Sequence, residues 1–483
     1  METLHVKDMS ATQKFKKSWI KDPVKYILLW FFALSIFLLG HFLFVGWDFS
    51  SYVLNAQFLF GQGNFFEIYR APLMSVILGM FSLFDWKVAE YAYIIFTACL
   101  FFYSSLRLAR SIESDRFLFS LFSLNAFVLL FGLVEGTELL ALALLQLFLA
   151  FLLEDKWYAG FFLGLACLTR YPLVVLFPLL LFHKQWRNWI WGAMSFTLAF
   201  IPWFVYNHIH YGNIFYSIAD SYAMNILYRD YLITSFNWSY LLFAGNILLP
   251  FAILGLILFL WKKDFSRKNL LFFIFLIFAL YSISTQKVDV LRYYITLTIP
   301  IVFFSVYSFH SFSPDRRRIF LGVIVTVSLL FLLYGMIDHQ KEHFKGVAEQ
   351  VHTLIGDCAL KSNVWVPLTY YGTLSEPQPQ EKMLWHDIEE GYYVLFFYSA
   401  REPDYMLNES FILSFPVVVQ TKEYILLGNG CLAQEPVTKS YLQQLNAYLF
   451  FVDNYTVSDD PCEILFDGSK VCTSVNNIVA VGS

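Results

Sequence analysis

Apolar runs of about twenty residues, long enough to cross a bilayer as helices, recur between residues 26 and 337. In hydrocarbon every backbone N–H and C=O has to be satisfied inside the structure, which only helices and closed barrels achieve. These runs are continuous rather than alternating, so helices are predicted. The sequence has 58% hydrophobic residues and only 14% charged, where a soluble domain carries roughly 25% charged. The fold class follows: a polytopic α-helical membrane protein. The net charge of −4 says little about partners, and nothing in the pattern points to nucleic acid.

Helix spans and the placement of Lys and Arg predict the topology. Residues 1–25 are polar and basic, with Lys7, Lys14, Lys16, Lys17, Lys21 and Lys25. No small-residue cleavage pattern follows the first apolar run, so it reads as a retained first helix with a cytoplasmic amino terminus. That helix spans Tyr26 to Val45. A first outer loop then covers residues 46–87, with a 14-residue apolar run (Ala71 to Phe84) better suited to an interfacial helix than to a span. Helix two is Val88 to Leu106, helix three Phe117 to Val134 and helix four Leu139 to Leu153. Residues 157–182 form either one helix with Arg170 inside the membrane or two short helices meeting at Arg170. The second choice returns Lys184 and Arg187, Lys262 and Lys263, and Arg316 to Arg318 to one cytoplasmic side, as the positive-inside rule asks. Pro172 supports the break. Helices at Trp189 to Tyr206, Tyr240 to Trp261, Leu270 to Ser284, Arg292 to Phe309 and Ile319 to Ile337 complete about eleven spans. A transmembrane domain at 26–337 is therefore expected.

Residues 338–483 contain no further span. Short β-rich runs at Val364–Val366, Tyr392–Tyr398, Phe411–Val419, Tyr424–Leu427 and Tyr448–Val452 predict an extracytoplasmic α/β domain. Cys358, Cys431, Cys462 and Cys472 lie there and permit two disulfides on an oxidising side. Cys99 and Cys167 sit in apolar runs and are expected to be inert.

This topology gathers unusual residues at one membrane face. Asp48, Glu67 and Arg70 lie in the first outer loop, Glu135 and Glu138 in the second, and Arg170 at the hairpin tip. His208 and His210 lie in a later loop, and Asp289 and Arg292 in the last. Asp48 is either a general base or the N-cap of a helix starting at Phe49 or Ser50; spacing alone leaves the two level. Arg70 and Arg170 are suited to a phosphate, although interfacial snorkelling also explains Arg70. Glu138 opens a helix, where its charge meets the dipole; alternatively Glu135 or Glu138 orients an acceptor or a divalent metal. His208 and His210 complete no metal pattern. Asp289 and Arg292 are spaced for an ordinary surface salt bridge. No phosphate-binding loop of the GxxxxGK[ST] type occurs, which argues against ATP-driven pumping.

Asp48-Phe49-Ser50-Ser51-Tyr52, then Ala56, Gly61 and Arg70-Ala71-Pro72, resemble the first outer loop of the GT-C superfamily of integral-membrane glycosyltransferases. That superfamily includes protein O-mannosyltransferases, aminoarabinose transferases and oligosaccharyltransferases. Gly160 to Arg170, Asn207 to Asn213 and Arg292-Tyr293-Tyr294 are similar to its later segments. Phe49 stands where the O-mannosyl and aminoarabinose branches usually carry Glu. The Trp-Trp-Asp-Tyr-Gly motif of oligosaccharyltransferases is absent, so the resemblance stays at superfamily level. It implies a GT-C fold and an inverting hexosyl or pentosyl transfer from a polyprenyl-phosphate (dolichyl-type) sugar to a glycan, lipid or protein acceptor outside the cytoplasm. It implies Asp48 as catalytic base and Arg70, Arg170 and Arg292 at the donor phosphate. Glu67, Glu135 or Glu138 would orient the acceptor or a metal, with Tyr52 nearby. No cofactor is implied with certainty; a divalent metal is possible. The competing readings are a transporter or flippase of lipid-linked saccharide, which needs ionisable residues near the bilayer midplane, and a non-catalytic partner subunit of the same fold.

Overall fold

The computed structural model describes residues 23–83, 85–227, 237–285, 290–338, 344–379, 381–400, 403–440 and 442. Asp289, Cys462, Cys472 and the run Tyr448–Val452 lie outside the described residues.

In chain order, helix α1 (Pro23–Leu43) leads to α2 (Trp47–Leu59), strand β1 (Phe65–Glu67) and the short α3 (Leu73–Phe81). Then come α4 (Trp86–Ser111), α5 (Arg116–Ser123), α6 (Ala126–Phe131), α7 (Glu138–Leu153) and α8 (Ala159–Thr169), followed by a 3-10 helix at Tyr171–Phe182. Helices α9 (Trp186–Tyr211), α10 (Tyr216–Tyr222), α11 (Trp238–Gly245), α12 (Leu249–Lys262) and α13 (Arg267–Ser284) precede a second 3-10 turn at Leu291–Leu297. Helices α14 (Thr298–Phe309) and α15 (Pro314–Asp338) complete the apolar part.

Among the described residues, seven helical units are long and apolar enough to cross a membrane: α1, α4, α9, α11 with α12, α13, the second 3-10 turn with α14, and α15. The 3-10 helix at Tyr171–Phe182, α7 and α8 are shorter apolar elements. The chain is an integral membrane protein. Only 11% of the apolar stretch of α15 is buried, so that helix is hydrophobic on faces the protein does not cover, as a lipid-facing helix must be. Trp186, Trp191 and Trp261 are exposed at one end of the bundle, where an amphipathic ring meets the headgroups.

The expected continuous helix Phe117 to Val134 is instead broken into α5 and α6. Asn125 causes the break. Its side chain accepts the N–H groups of Phe127 and Val128 and so restarts the helix as an N-cap. The hairpin at Arg170 is present: α8 stops there in an extended conformation, and Pro172 opens the 3-10 helix. Helices α8 and α9 meet through small residues. A Cβ added to Gly160 would lie 1.9 Å from the Gly192 carbonyl oxygen, the close approach that small residues permit between membrane helices.

The later part contains α16 (Phe344–Ile355), β2 (Leu360–Ser362), α17 (Trp365–Tyr370), β3 (Glu376–Pro377), α18 (Leu384–Glu390), β4 (Tyr393–Phe397), α19 (Glu409–Ile412), β5 (Val417–Gln420), β6 (Tyr424–Leu427) and β7 (Val437–Lys439). Five strands form a mixed sheet in the order β3-β2-β4-β6-β5. Its strands alternate between two apolar faces. Leu395 and Leu426 pack on α16, while Val394, Phe396, Ile425 and Leu427 pack on α18. The expected strand at Val364–Val366 is a helix start instead, because Ser362 accepts the Val364 N–H and turns the chain out of β2. The expected strand over Phe411–Val419 shrinks to Val417–Gln420 behind α19. A disulfide joins Cys358 to Cys431.

Candidate functional site

Helix α2 begins at Trp47, and its N-cap is Gly46. Asp48 is therefore inside the first turn, and its carboxylate is not the helix cap. The N-cap reading of Asp48 is thereby overturned. The cap has to be glycine for packing: a Cβ there would stand 2.4 Å from the Val134 carbonyl oxygen and 2.8 Å from a Glu135 carboxylate oxygen. The Gly46 N–H donates to that Val134 carbonyl at 3.2 Å. The Asp48 N–H donates to Glu135 Oε2 at 2.8 Å. Glu135 thus receives the amino end of α2, where the dipole favours a negative charge.

The Asp48 side chain lies between two guanidinium groups. Arg70 Nη1 lies 3.0 Å from Oδ1 and Arg292 Nη1 2.6 Å from Oδ2. Arg292 Nη1 also reaches Glu135 Oε2 at 3.3 Å. Arg70 is held from behind by Glu67, whose carboxylate accepts from Nε. Glu67 is fixed in turn: Asn55 accepts its N–H at 2.8 Å and donates to its carbonyl at 2.9 Å. Burial works against the charge on Arg70, but Asp48 and Glu67 outweigh it and hold its pKa well above the usual value. Burial pushes Glu135 up to about 7, and the nearby Asp48 and Glu138 charges act in the same direction against Arg292. Tyr52, its ring 5.3 Å from the Arg70 guanidinium, is raised by burial to about 12.

Glu138 and Arg170 form a second pair beside the first. Tyr293 joins the two, with its ring 5.2 Å from the Arg170 guanidinium and 5.8 Å from that of Arg292. Tyr93 Oη donates to the Gly136 carbonyl at 2.6 Å, fixing the turn that carries Glu135 and Glu138. A small, partly open recess of about 20 Å³ is lined by Arg170 and Tyr293 together with Leu173, Leu176, Ser282 and Ile283.

Asp48, Glu67, Arg70, Glu135 and Arg292 therefore form one network, with Tyr52 against Arg70 and the Glu138–Arg170 pair adjoining. Arg292 makes contacts with Asp48 and Glu135; its expected pairing with Asp289 falls outside the described residues. His208 and His210 do not lie in a loop as expected. They are in the exposed last turn of α9, where His210 packs 4.3 Å from the Tyr206 ring. The helix continues because Gly212, at φ +69, provides the left-handed stop only beyond them. Asn55, Tyr93 and Tyr293 are members of the site that sequence reasoning left without a role. Nothing local marks Asn55; only its pairing with Glu67 across a turn does.

The donor set was also expected to allow a divalent metal. Between Asp48 and Glu135 the cation in place is the Arg292 guanidinium. Among the described residues no three His, Cys, Asp or Glu side chains converge as ligands. These residues do not fit a divalent ion.

Comparisons with known proteins agree with the fold. Residues 71–228 match the family model described as Glycosyltransferase family 87. No curated protein sequence matches. Two crystal structures of ArnT from Cupriavidus metallidurans are similar in fold. The form bound to undecaprenyl phosphate superposes with a TM-score of 0.58 at 12% identity, covering 83% of this chain and 97% of that chain. The apo form gives 0.55 at 13% identity, covering 86% and 98%. At such identity the likeness shows a shared fold alone.

Proposed function

We propose that this protein is a membrane glycosyltransferase that moves a sugar from a polyprenyl-phosphate carrier to an acceptor on the extracytoplasmic face. The observation that carries the proposal is the Asp48 carboxylate held between Arg70 and Arg292, with Arg170 alongside at the edge of a small recess that Leu173, Leu176 and Ile283 help to line. A lipid-linked phosphate needs these features together: cations for its head and an apolar path for its tail. The Glycosyltransferase family 87 match and the ArnT fold support the same chemistry.

Each residue then has a task. Arg70, Arg170 and Arg292 bind the phosphate oxygens. Arg292 Nε is buried and finds no acceptor among the described residues, so it keeps a donor for that purpose. Asp48 accepts the proton of the acceptor's attacking group. The attacking atom bonds to the anomeric carbon as the bond from that carbon to the phosphate oxygen breaks, and polyprenyl phosphate departs as an anion. A single displacement of this kind inverts the anomeric centre. The leaving anion is stabilised by the guanidinium groups, so no general acid is required. Glu135 fixes the amino end of α2, and Glu138 holds Arg170.

The sidedness rests on charge. Lys156, Lys184, Arg187, Lys262, Lys263, Arg267 and Lys268 lie at the end of the bundle away from Asp48, which the positive-inside rule assigns to the cytoplasm. The amino terminus is then cytoplasmic. Residues 26–337 act as the membrane domain and residues 338–483 lie outside, where the Cys358–Cys431 disulfide is at home.

The test offers purified protein a panel of polyprenyl-phospho-sugars and measures release of polyprenyl phosphate. Wild type releases it with one of the donors, and Asp48→Asn does not. Equal release by both would remove Asp48 as base. Donor crossing vesicles with no sugar released would identify a transporter instead.

A further inference from the structure

The two arginine-bearing walls of the site are tied together by a segment far along the chain. On one side, β7 pairs in parallel with β1, in the register Phe65 to Val437, Phe66 to Thr438 and Glu67 to Lys439. The Val437 N–H donates to the Asn64 carbonyl at 2.7 Å, and the Ile68 N–H to the Lys439 carbonyl at 3.2 Å. Glu67, whose carboxylate holds Arg70, is therefore part of this ladder.

On the other side, the next residues grip α10. Ser440 Oγ donates to Asp220 Oδ1 at 2.9 Å and lies 3.0 Å from Tyr216 Oη. The Leu442 N–H donates to the same Asp220 oxygen. Asp220 and Ser217 are fully buried. From Ser217 a polar chain continues: its Oγ lies 3.2 Å from Tyr171 Oη, and Trp203 Nε1 donates to both, at 2.7 Å and 2.9 Å. Tyr171 follows Arg170 directly.

We propose that Val437–Ser440, together with Leu442, is a clamp that sets the separation between the Arg70 wall and the Arg170 wall, with Val437 and Ser440 as positioning residues. It depends on short, directional contacts at both ends, which transmit a shift of one wall to the other. Loosening either end then spreads the guanidinium groups away from the spacing that a single phosphate needs. Its meaning for catalysis rests on the donor reading above; its mechanical claim does not.

The test uses the full-length protein and two variants that each touch one end. Ser440→Ala removes the bonds to Asp220 and Tyr216. Val437→Pro removes the N–H that donates to Asn64. Amide exchange is followed by mass spectrometry over residues 64–70 and 216–222, and undecaprenyl phosphate binding is measured in parallel. The clamp predicts that each variant raises exchange in both segments. It also predicts that Ser440→Ala weakens undecaprenyl phosphate binding by about 3–10-fold, the value of one hydrogen bond, and that Ser440→Thr restores both. If exchange rises only in the segment nearest each substitution, the clamp is wrong. If wild type binds no undecaprenyl phosphate while exchange still couples the two walls, the donor reading falls and the clamp stands.

Discussion

The two ends of the helical bundle both hold partly buried arginines, and they use them differently. Helix α7 connects them: Glu138 starts it at the Asp48 end, and Leu153 finishes it roughly 24 Å away at 1.5 Å per residue. At the far end Arg267 donates to three backbone carbonyls, those of Phe182, Leu153 and Leu152, at 2.8, 3.0 and 2.8 Å. It closes the carboxyl ends of α7 and of the 3-10 helix, whose last carbonyls have no partner within the helix. Asp155 there accepts from His183 Nδ1 and the Lys184 N–H, and from Asn188. At the near end Arg70 and Arg292 instead meet side-chain carboxylates, and Arg292 Nε has no acceptor among the described residues. A buried guanidinium is thus not in itself a sign of function. A carbonyl partner cannot be exchanged without undoing a helix, whereas a carboxylate partner can be exchanged for a phosphate.

The sharpest way to break this contrast is to change one acid at each end. Asp48→Asn should lower sugar transfer by about 10²–10⁴-fold, the usual contribution of a general base, a loss beyond what its weakened pairing with Arg70 and Arg292 costs in stability. Asp155→Ala should leave transfer nearly intact and cost about 1–3 kcal/mol of stability through its stranded donors. Rates and unfolding temperatures measured on both proteins decide it; a loss of turnover in Asp155→Ala matching that of Asp48→Asn would erase the distinction.

The arginines give the next largest effect. Arg292→Met should reduce kcat/KM by about 10²–10³-fold, as for loss of a donor to a developing anion, while the protein still folds. Arg267→Met should leave carbonyls unpaired at a cost of about 1–3 kcal/mol, with donor binding unchanged. If the Arg267 variant instead lost donor affinity at full stability, the far end would have to be counted as part of the site.

The contrast also explains what was legible beforehand. The membrane class, the break at Arg170 and the clustering of Asp48, Arg70 and Arg292 follow from apolar run length, a proline and charge placement, all of which are local. The break at Asn125 was missed because a polar residue inside an apolar run reads as tolerated until its side chain is seen capping α6. Strands β1 and β7 are three residues each and pair across most of the chain, so neither has enough length to show alternation. His208 and His210 looked like loop residues because Gly212, the real stop, lies beyond them. Partner identity was the least accessible feature: nothing in the runs around Arg267 and Arg292 says that one meets carbonyls and the other carboxylates.

A smaller effect is expected at Gly46. Gly46→Ala drives a methyl group against the Val134 carbonyl and Glu135, an overpacking that costs about 1–3 kcal/mol. Helix α2 should back away from Glu135 and carry Asp48 with it. Turnover is then expected to fall by about tenfold, the equivalent of 1.4 kcal/mol, with KM for the donor less affected than kcat. An unfolding temperature and turnover both equal to wild type would show that the close approach at Gly46 is not what positions Asp48.

The smallest effect separates the two ends by the sign of their pH dependence. Burial, with Asp48 and Glu138, raises Glu135 to about 7, above the ordinary carboxyl range. The folded protein therefore prefers Glu135 protonated. Its contribution to stability is complete below the unfolded pKa of about 4.3 and is lost as pH rises through about 7. Asp155 behaves oppositely. Burial works against its charge, but the bonds from His183, Lys184 and Asn188 prevail and hold it below its usual value. Its contribution is present above the unfolded pKa and disappears as pH falls through the lowered one. Of these two carboxylates, only Glu135 changes between pH 5 and pH 7.5. Glu135→Gln should flatten the fall in unfolding temperature across that window. Equal slopes in wild type and Glu135→Gln would mean that Arg292 and the amino end of α2 keep Glu135 ionised throughout. The charge balance at the near end would then resemble that of the far end.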